Sequence, residues 1–161
     1  MELINVSIKN NMMPQNIVAC VGEFDGVHIG HQKLIEEVVR ISKQKNIPSG
    51  IITFDPHPDF VLNKKTEFTY ITPLEEKIKY IETMYNLDYF IIVNFNLEMS
   101  RLDYHDFYNL FLKNLDTIVV GYDFRFGFKG MGNVDVLNQL HKNVIVIDKI
   151  IFNDEKIGSK N

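Results

Sequence analysis

Hydrophobic and polar positions along this chain fall into blocks of changing period, in which short continuous apolar runs give way to longer amphipathic stretches. The run Ile17-Val18-Ala19-Cys20-Val21 is continuous and rich in β-branched side chains, the pattern of a strand buried on both faces of a parallel sheet. From His31 onward Leu34, Val38 and Ile41 recur at i, i+4 and i+7, with Glu36, Glu37, Arg40 and Lys43 between them, which predicts a helix with one apolar stripe. Ile47-Pro48 ends that connection. Gly50-Ile51-Ile52-Thr53-Phe54 predicts a second strand, followed by a proline-rich loop that continues neither element. Thr72 as N-cap, Pro73 at the first helical position and Glu75 closing a capping box predict a further helix that buries Leu74, Ile78 and Ile81. Beyond it, strands are predicted at Tyr89–Val93, Thr117–Val120 and Val144–Ile147, and helices at Asp103–Lys113 and Val134–Leu140. Ile150–Ile157 predicts a hairpin turning at Asn153-Asp154. Regular alternation of strand and helix implies an α/β fold with a mostly parallel, doubly wound sheet.

In such a sheet, ligands collect at the loops that follow the strands. Those loops hold the informative residues: Gly22 to His31, then Asp55-Pro56-His57-Pro58, then Asn94-Phe95, then Asp123, Arg125 and Gly127. The first loop, GEFDGVHIGH, sets two histidines three apart among three glycines, between a strand and a helix N-terminus. Unpaired backbone N–H groups and the helix dipole favour an anion there, and Gly26 and Gly30 let the backbone approach it. A lone histidine is more often a surface or cap residue. Here the glycines, Asp25, His28 and His31 fall together at one junction, and two imidazoles beside an anion can donate to its oxygens. The loop lacks the GK[ST] ending of a Walker loop and is not GxGxxG. It does not read as a zinc site either, because the histidines lack i, i+4 spacing and the single cysteine, Cys20, lies inside the predicted strand. No metal ligands are predicted.

His28-Ile29-Gly30-His31 resembles the signature of the HIGH-type nucleotidyltransferases, which implies a Rossmann-like fold. The longer pattern GxFDGVHxGHQ, ending here at Gln32, is similar to the adenylyltransferase module of bacterial FAD synthetases. TFDPHP at Thr53 to Pro58, the EEK helix at Glu75 to Lys77 and GYDFRFGFKGMGN at Gly121 to Asn133 extend the likeness from about Ile17 to Ser159. The resemblance implies transfer of AMP from ATP to FMN with Mg²⁺, giving FAD and pyrophosphate. It implies that His28 and His31 hold the triphosphate, in a loop shaped by Gly22, Phe24, Asp25, Gly26 and Gly30. Asp123 is implied near the nucleotide or flavin, and Phe54, Asp55, Pro56, His57 and Phe126 on the flavin side. For Asp25 a turn or helix-cap role stands beside nucleotide contact. Asp55 and His57 suit either a polar ligand edge or a turn cap. Phe124 and Phe128 are further aromatic candidates, although strand and loop phenylalanines are more often core. Arg125 and Lys129 are candidates to assist phosphates, with solvated side chains as the alternative.

Composition narrows the setting. A chain of 161 residues buries roughly two-thirds of its unfolded surface, enough for one core, so residues 1–161 are expected to form a single domain. One cysteine excludes an intramolecular disulfide and fits a reducing, cytoplasmic compartment. The apolar runs are strand-sized and MELINVSIKNN lacks a signal-peptide layout, so no membrane association is expected. A net charge of −4 without a basic face argues against nucleic acid and leaves small-molecule substrates.

Two features depart from the family pattern. Its second signature, roughly SSTxIR, supplies hydroxyls and an arginine to the phosphates. Here Lys156-Ile157-Gly158-Ser159-Lys160-Asn161 matches it only at Ser159, and the chain stops before the arginine. That predicts a module truncated at its C-terminus, or one that has lost part of its phosphate clamp. The C-terminal riboflavin kinase domain of full-length relatives is not expected within these residues. Three readings follow: an FMN adenylyltransferase module, another HIGH-type transferase with a different acceptor, or a nucleotide- or flavin-binding module without turnover.

Overall fold

The apolar run at Ile17–Val21 becomes the strand around which the other elements assemble. The computed structural model describes residues 1–24, 29–56, 58–62 and 72–148. Among them the chain forms β1 (Glu2–Val6), β2 (Val18–Val21), α1 (Ile29–Lys45), β3 (Ser49–Asp55), α2 (Pro58–Val61), α3 (Leu74–Met84) and β4 (Tyr89–Asn94). It continues through α4 (Leu97–Ser100), α5 (Tyr104–Phe107, running on as a π-helical turn over Tyr108–Leu112), β5 (Thr117–Gly121), α6 (Val134–Leu140) and β6 (Val144–Ile147). The six strands make one parallel sheet in the order β1-β4-β3-β2-β5-β6. From β2 the chain moves outward through β3 to β4, then returns to the other side of β2 for β5 and β6. The order therefore reverses between β2 and β5, the place where open α/β sheets bind ligands.

Alternation along each strand sorts the core into two layers. Val18 and Cys20 face one side with Ile51, Phe90, Ile92 and Val119, where Leu34, Ile35 and Val38 of α1 and Ile81 of α3 cover them. Ala19 and Val21 face the other with Ile52, Ile91, Val93 and Ile118, covered by Phe107, Phe111 and Leu112 and by Leu137 of α6. The doubly wound α/β architecture is thus as the periodicity implies, and among the described residues every pairing between these strands is parallel.

Four local readings change. β1 was not predicted: only Val6 is buried in it, and its place comes from pairing Glu2–Val6 with Tyr89–Val93 at the sheet edge. The capping box at Thr72 does not form as read. Pro73 itself occupies the N-cap with ψ 146°, its carbonyl accepts from the Glu76 and Lys77 N–H groups at 3.1 Å, and Thr72 is buried. The predicted loops after β3 and β4 each hold a one-turn helix, α2 beginning at Pro58 and α4 capped by the Asn96 side chain. The helix predicted over 103–113 starts as expected, with the Asp103 carboxylate accepting from the Asp106 N–H at 2.9 Å. It then widens, so that the Lys113 N–H reaches the Tyr108 carbonyl five residues back. The predicted hairpin Ile150–Ile157 lies outside the described residues.

At the amino edge of β5 a polar cluster ties three elements together. The Tyr108 hydroxyl donates to the Leu140 carbonyl at 3.0 Å and lies 2.7 Å from His141 Nδ1, while Nε2 lies 3.4 Å from the Asp116 carbonyl. Burial of His141 holds its pKa below the ordinary 6.5, with the neighbouring acceptors opposing that shift only in part. The unfolded chain therefore takes up a proton near its ordinary pKa while the folded chain resists it, so this contribution is complete above about pH 6.5 and falls as pH drops below it. Asp116, held below its usual range chiefly by Thr117 and then by Lys45, loses its contribution only at lower pH. Urea midpoints measured from about pH 8 down to about pH 5 should fall for the parent and flatten in His141→Gln, and equal slopes in both would exclude His141 as the source.

Candidate functional site

The carboxyl edge of the sheet is built from the ends of β2, β3, β4 and β5. After β2 the Gly22 N–H still donates to the Ile52 carbonyl at 3.0 Å, and the buried Thr53 hydroxyl donates to the Glu23 carbonyl at 3.3 Å. Phe24 then takes a positive φ of 58°, which turns its ring into the core, where it is 2% exposed. That ring lies 5.1 Å from the His31 imidazole at 59°, and a Cβ on Gly22 would stand 3.2 Å from its edge. Phe24 therefore packs against His31 in the first turn of α1, and its ring is not open to a ligand. The first turn of α1 carries no carboxylate, so its positive end is not neutralised from within the helix. His31 is half-buried within it. Gly30 also belongs to that turn, whereas Asp25, Gly26 and His28 lie outside the described residues, as do His57 and Ser159.

Among the described residues, two cavities open along this edge. The first, of about 370 Å³, lies between the ends of β3 and β4 and the loop after β5. Phe54, Phe95, Met99, Phe107 and Phe126 give it an apolar wall, and Glu23, Arg125 and Lys129 contribute charge. The aromatic rings pack as one group: Phe54 meets Phe95 edge-on at 6.0 Å and Phe107 at 6.0 Å, and Phe107 meets Phe126 at 6.1 Å. Phe126 is almost wholly buried and presents only a small surface, while Phe54 is half-buried. Asp55 and Pro56 are exposed and do not line this cavity; the backbone of Asp55 instead accepts from the Phe95 N–H at 3.2 Å. The second cavity, of about 460 Å³, lies where β5 and β6 end and α6 begins, and its lining includes Tyr122, Asp123, Phe124, Asn133 and Asp135.

Sequence reasoning placed Phe54, Phe95, Asp123 and Arg125 at this edge. It missed Met99 and Phe107, which sit on helical segments with ordinary apolar spacing and carry no signal separating a cavity wall from core. Glu23 falls inside the histidine loop, and its identity alone did not mark it. Cys20, buried in β2 with its thiol pushed up by that burial, takes no part in the edge. Among the described residues no three His, Cys, Asp or Glu side chains converge on a point where a metal ion would sit. No helix among them is long and apolar enough to cross a membrane.

The loop that separates the cavities is held in a tight fold. Phe126 and Gly132 exchange backbone hydrogen bonds at 3.0 and 2.8 Å, and the Gly130 N–H donates to the Gly127 carbonyl at 3.0 Å. Gly127, at φ 82°, packs against the first turn of α5 so closely that a Cβ would lie 2.6 Å from the Tyr104 Cα. The loop is thereby seated on backbone, which cannot yield as a side chain does.

Comparison with known proteins adds the following. A family model described as FAD synthetase matches residues 10–161. The chain is 34% identical over its whole length to the bifunctional riboflavin kinase/FMN adenylyltransferase of Buchnera aphidicola from Schizaphis graminum, of which it covers 54%. It is 38% identical over 91% of its length to the protein of the same name in Buchnera aphidicola from Acyrthosiphon pisum, of which it covers 49%. A protein named FAD synthetase in Listeria monocytogenes is 32% identical over the whole chain, which covers 68% of it. The chain spans about half the length of the bifunctional relatives it matches. Among solved structures, one described as a macrolide-efflux protein from Streptococcus pneumoniae shares the fold, with a TM-score of 0.79 and 24% identity over 97% of this chain and 53% of that one.

Gly127→Ala is expected to cost about 1–3 kcal/mol, because both the positive φ and the collision with Tyr104 must be relieved. Gly130→Ala also takes a positive φ, of 63°, but its Cβ meets only contacts of 3.5 Å with the Arg125 side chain, so it should cost less. Urea unfolding of both variants checks the order, and equal losses would show that the seating on α5 is not tight.

Proposed function

Because this chain belongs to the FAD synthetase family, we propose that it transfers AMP from ATP to FMN, giving FAD and pyrophosphate. A phosphate oxygen of FMN attacks the α-phosphorus of ATP in line. The new P–O bond forms as the bond to the β-phosphate bridge breaks, and the electron pair leaves with pyrophosphate. No protein nucleophile is needed, so the task of the chain is to position two anions and to offset their charge.

The observation that carries this reading is the pair of cavities along the carboxyl edge on either side of the strand reversal, one walled by phenylalanines. A flat tricyclic ring suits an aromatic and methionine wall, so the first cavity is read as the flavin side, with Phe54 and Phe126 among its contacts. The second holds Asp123 and Asp135, carboxylates that repel phosphate but accept from ribose hydroxyls and an exocyclic amine, and is read as the nucleoside side. The triphosphate then runs toward the positive end of α1, where His28 and His31 donate to its oxygens, with Gly22, Phe24, Asp25, Gly26 and Gly30 giving the loop its shape. Ser159 is assigned to the phosphates, and Asp55, Pro56 and His57 to the outer end of the flavin.

Mg²⁺ would offset charge on the nucleotide phosphates. A hard divalent cation held chiefly by phosphate oxygens and water would supply that charge without a dedicated protein cage. FMN is the product of riboflavin kinase chemistry, so a riboflavin kinase domain, named in the relatives of about twice this length, is the proposed source of the acceptor. ATP and FMN as substrates, with one cysteine buried and no disulfide partner, favour the cytoplasm.

The test is FAD formation from FMN, ATP and Mg²⁺, followed by chromatography with pyrophosphate release measured in parallel. His28→Ala and His31→Ala should each lower the rate by at least about 10²-fold, since each removes a donor aimed at charge that develops in the transition state. Binding of FMN and ATP without any FAD would move the reading to a binding module. Pyrophosphate release with another acceptor, but not FMN, would move it to a different transferase.

A further inference from the structure

Arg125 is the one described residue that lines both cavities. It follows β5 by four residues, between Phe124 on the second cavity and Phe126 on the first, and those two rings stack at 5.5 Å and 15° on either side of it in sequence. Phe124 and Phe126 thus line different spaces, and Arg125 between them lines both. It is exposed, and one hydrogen bond holds it: Nη1 donates to the Gly130 carbonyl at 3.3 Å. An arginine carries five N–H donors, so most of its fork is turned to solvent. It joins no ion pair among the described residues.

The surrounding charges make this point distinct. Glu23 lines the first cavity, and Asp123 and Asp135 line the second. The other cation of the first cavity, Lys129, has its ammonium 5.3 Å over the Phe128 ring, and Phe128 does not line that space. A phosphate placed at the partition would meet a planar fork, whereas one drawn further into either cavity would approach a carboxylate. An acceptor seated in the first cavity and a nucleoside in the second can react only where their phosphates meet, which is the same partition.

We infer that Arg125 is the acceptor-specificity residue: its guanidinium binds the terminal phosphate of the flavin and so separates FMN from riboflavin, which fills the same aromatic wall but brings no anion. The inference rests on the flavin reading of the first cavity. The assignment explains how an apolar pocket, which gains little from a phosphate several atoms away, can select the phosphorylated acceptor. A charge-assisted fork supplies that difference.

Equilibrium titration of the intact protein with FMN and with riboflavin, read by flavin fluorescence, tests it without requiring turnover. The parent should bind FMN at least about tenfold more tightly than riboflavin, the ratio expected of one charge-assisted pair. Arg125→Gln should bring the ratio to near unity while riboflavin affinity stays within about twofold, and Arg125→Lys should restore part of it, because an ammonium keeps the charge but not the fork. In steady-state assays the loss should appear as a higher KM for FMN with KM for ATP little changed. Equal losses for both flavins would reduce Arg125 to a support of the Gly130 loop and overturn the inference. An intact FMN preference in Arg125→Gln, or a parent that does not distinguish the two flavins or binds neither, would overturn it as well. A parent that prefers FMN through Arg125 but forms no FAD would refute the transfer reaction and leave the specificity assignment standing.

Discussion

The whole arrangement depends on β2 having no exposed face and no free edge. Val18–Val21 are 0–2% exposed, pair with β3 on one side and β5 on the other, and touch a different helix layer through each face. A strand in that position must be apolar on both sides, which is why it reads as a continuous run. It also cannot be followed by a helix lying in its own line. The chain must turn out of the sheet at its carboxyl end, and where strands wind away on opposite sides the turn leaves a crevice. The cavities along the carboxyl edge and the reversal of strand order are consequences of the same constraint.

Rigid packing then carries that constraint outward. The ring of Phe24 is sunk into the core at a positive φ, so the imidazole of His31 is held by the same contact that completes the hydrophobic layer beneath α1. On the other side of the sheet the Gly127 turn rests directly on the backbone of α5, whose own start is fixed by the Asp103 cap. Both devices use buried, close-packed groups to hold residues that must face water. Loops that bind anions gain from this, because donors already in place lose little further entropy when the ligand arrives.

Electrostatics divides the same edge. The positive end of α1 and the Arg125 fork favour phosphate, and the carboxylates of Glu23, Asp123 and Asp135 line the spaces on either side. On the proposed function, a chain of net charge −4 needs no basic face to hold two anionic substrates, since only the short path along which their phosphates would meet has to be cationic. Aromatic and methionine side chains supply the rest of the contact area.

The sequence by itself determined the central elements of this protein. A buried parallel strand at Ile17–Val21, an amphipathic α1 and the limits of α6 and β6 all follow from the period of apolar residues, because burial on one or two faces leaves a local signature. The glycine- and histidine-rich loop stands out in the sequence because an anion site at a helix N-terminus needs particular residue types close together in the chain, and its residues 25–28 lie outside the described residues. Tertiary structure decided what has no local signature. β1 exists because β4 has a free edge to pair, the helix over Tyr104–Leu112 widens midway, and Pro73 rather than the buried Thr72 caps α3. It also chose which phenylalanines became wall and which became core, and it set Arg125 between two cavities. Those outcomes depend on what other segments bring to the same place, and the order of residues along a single segment does not contain that.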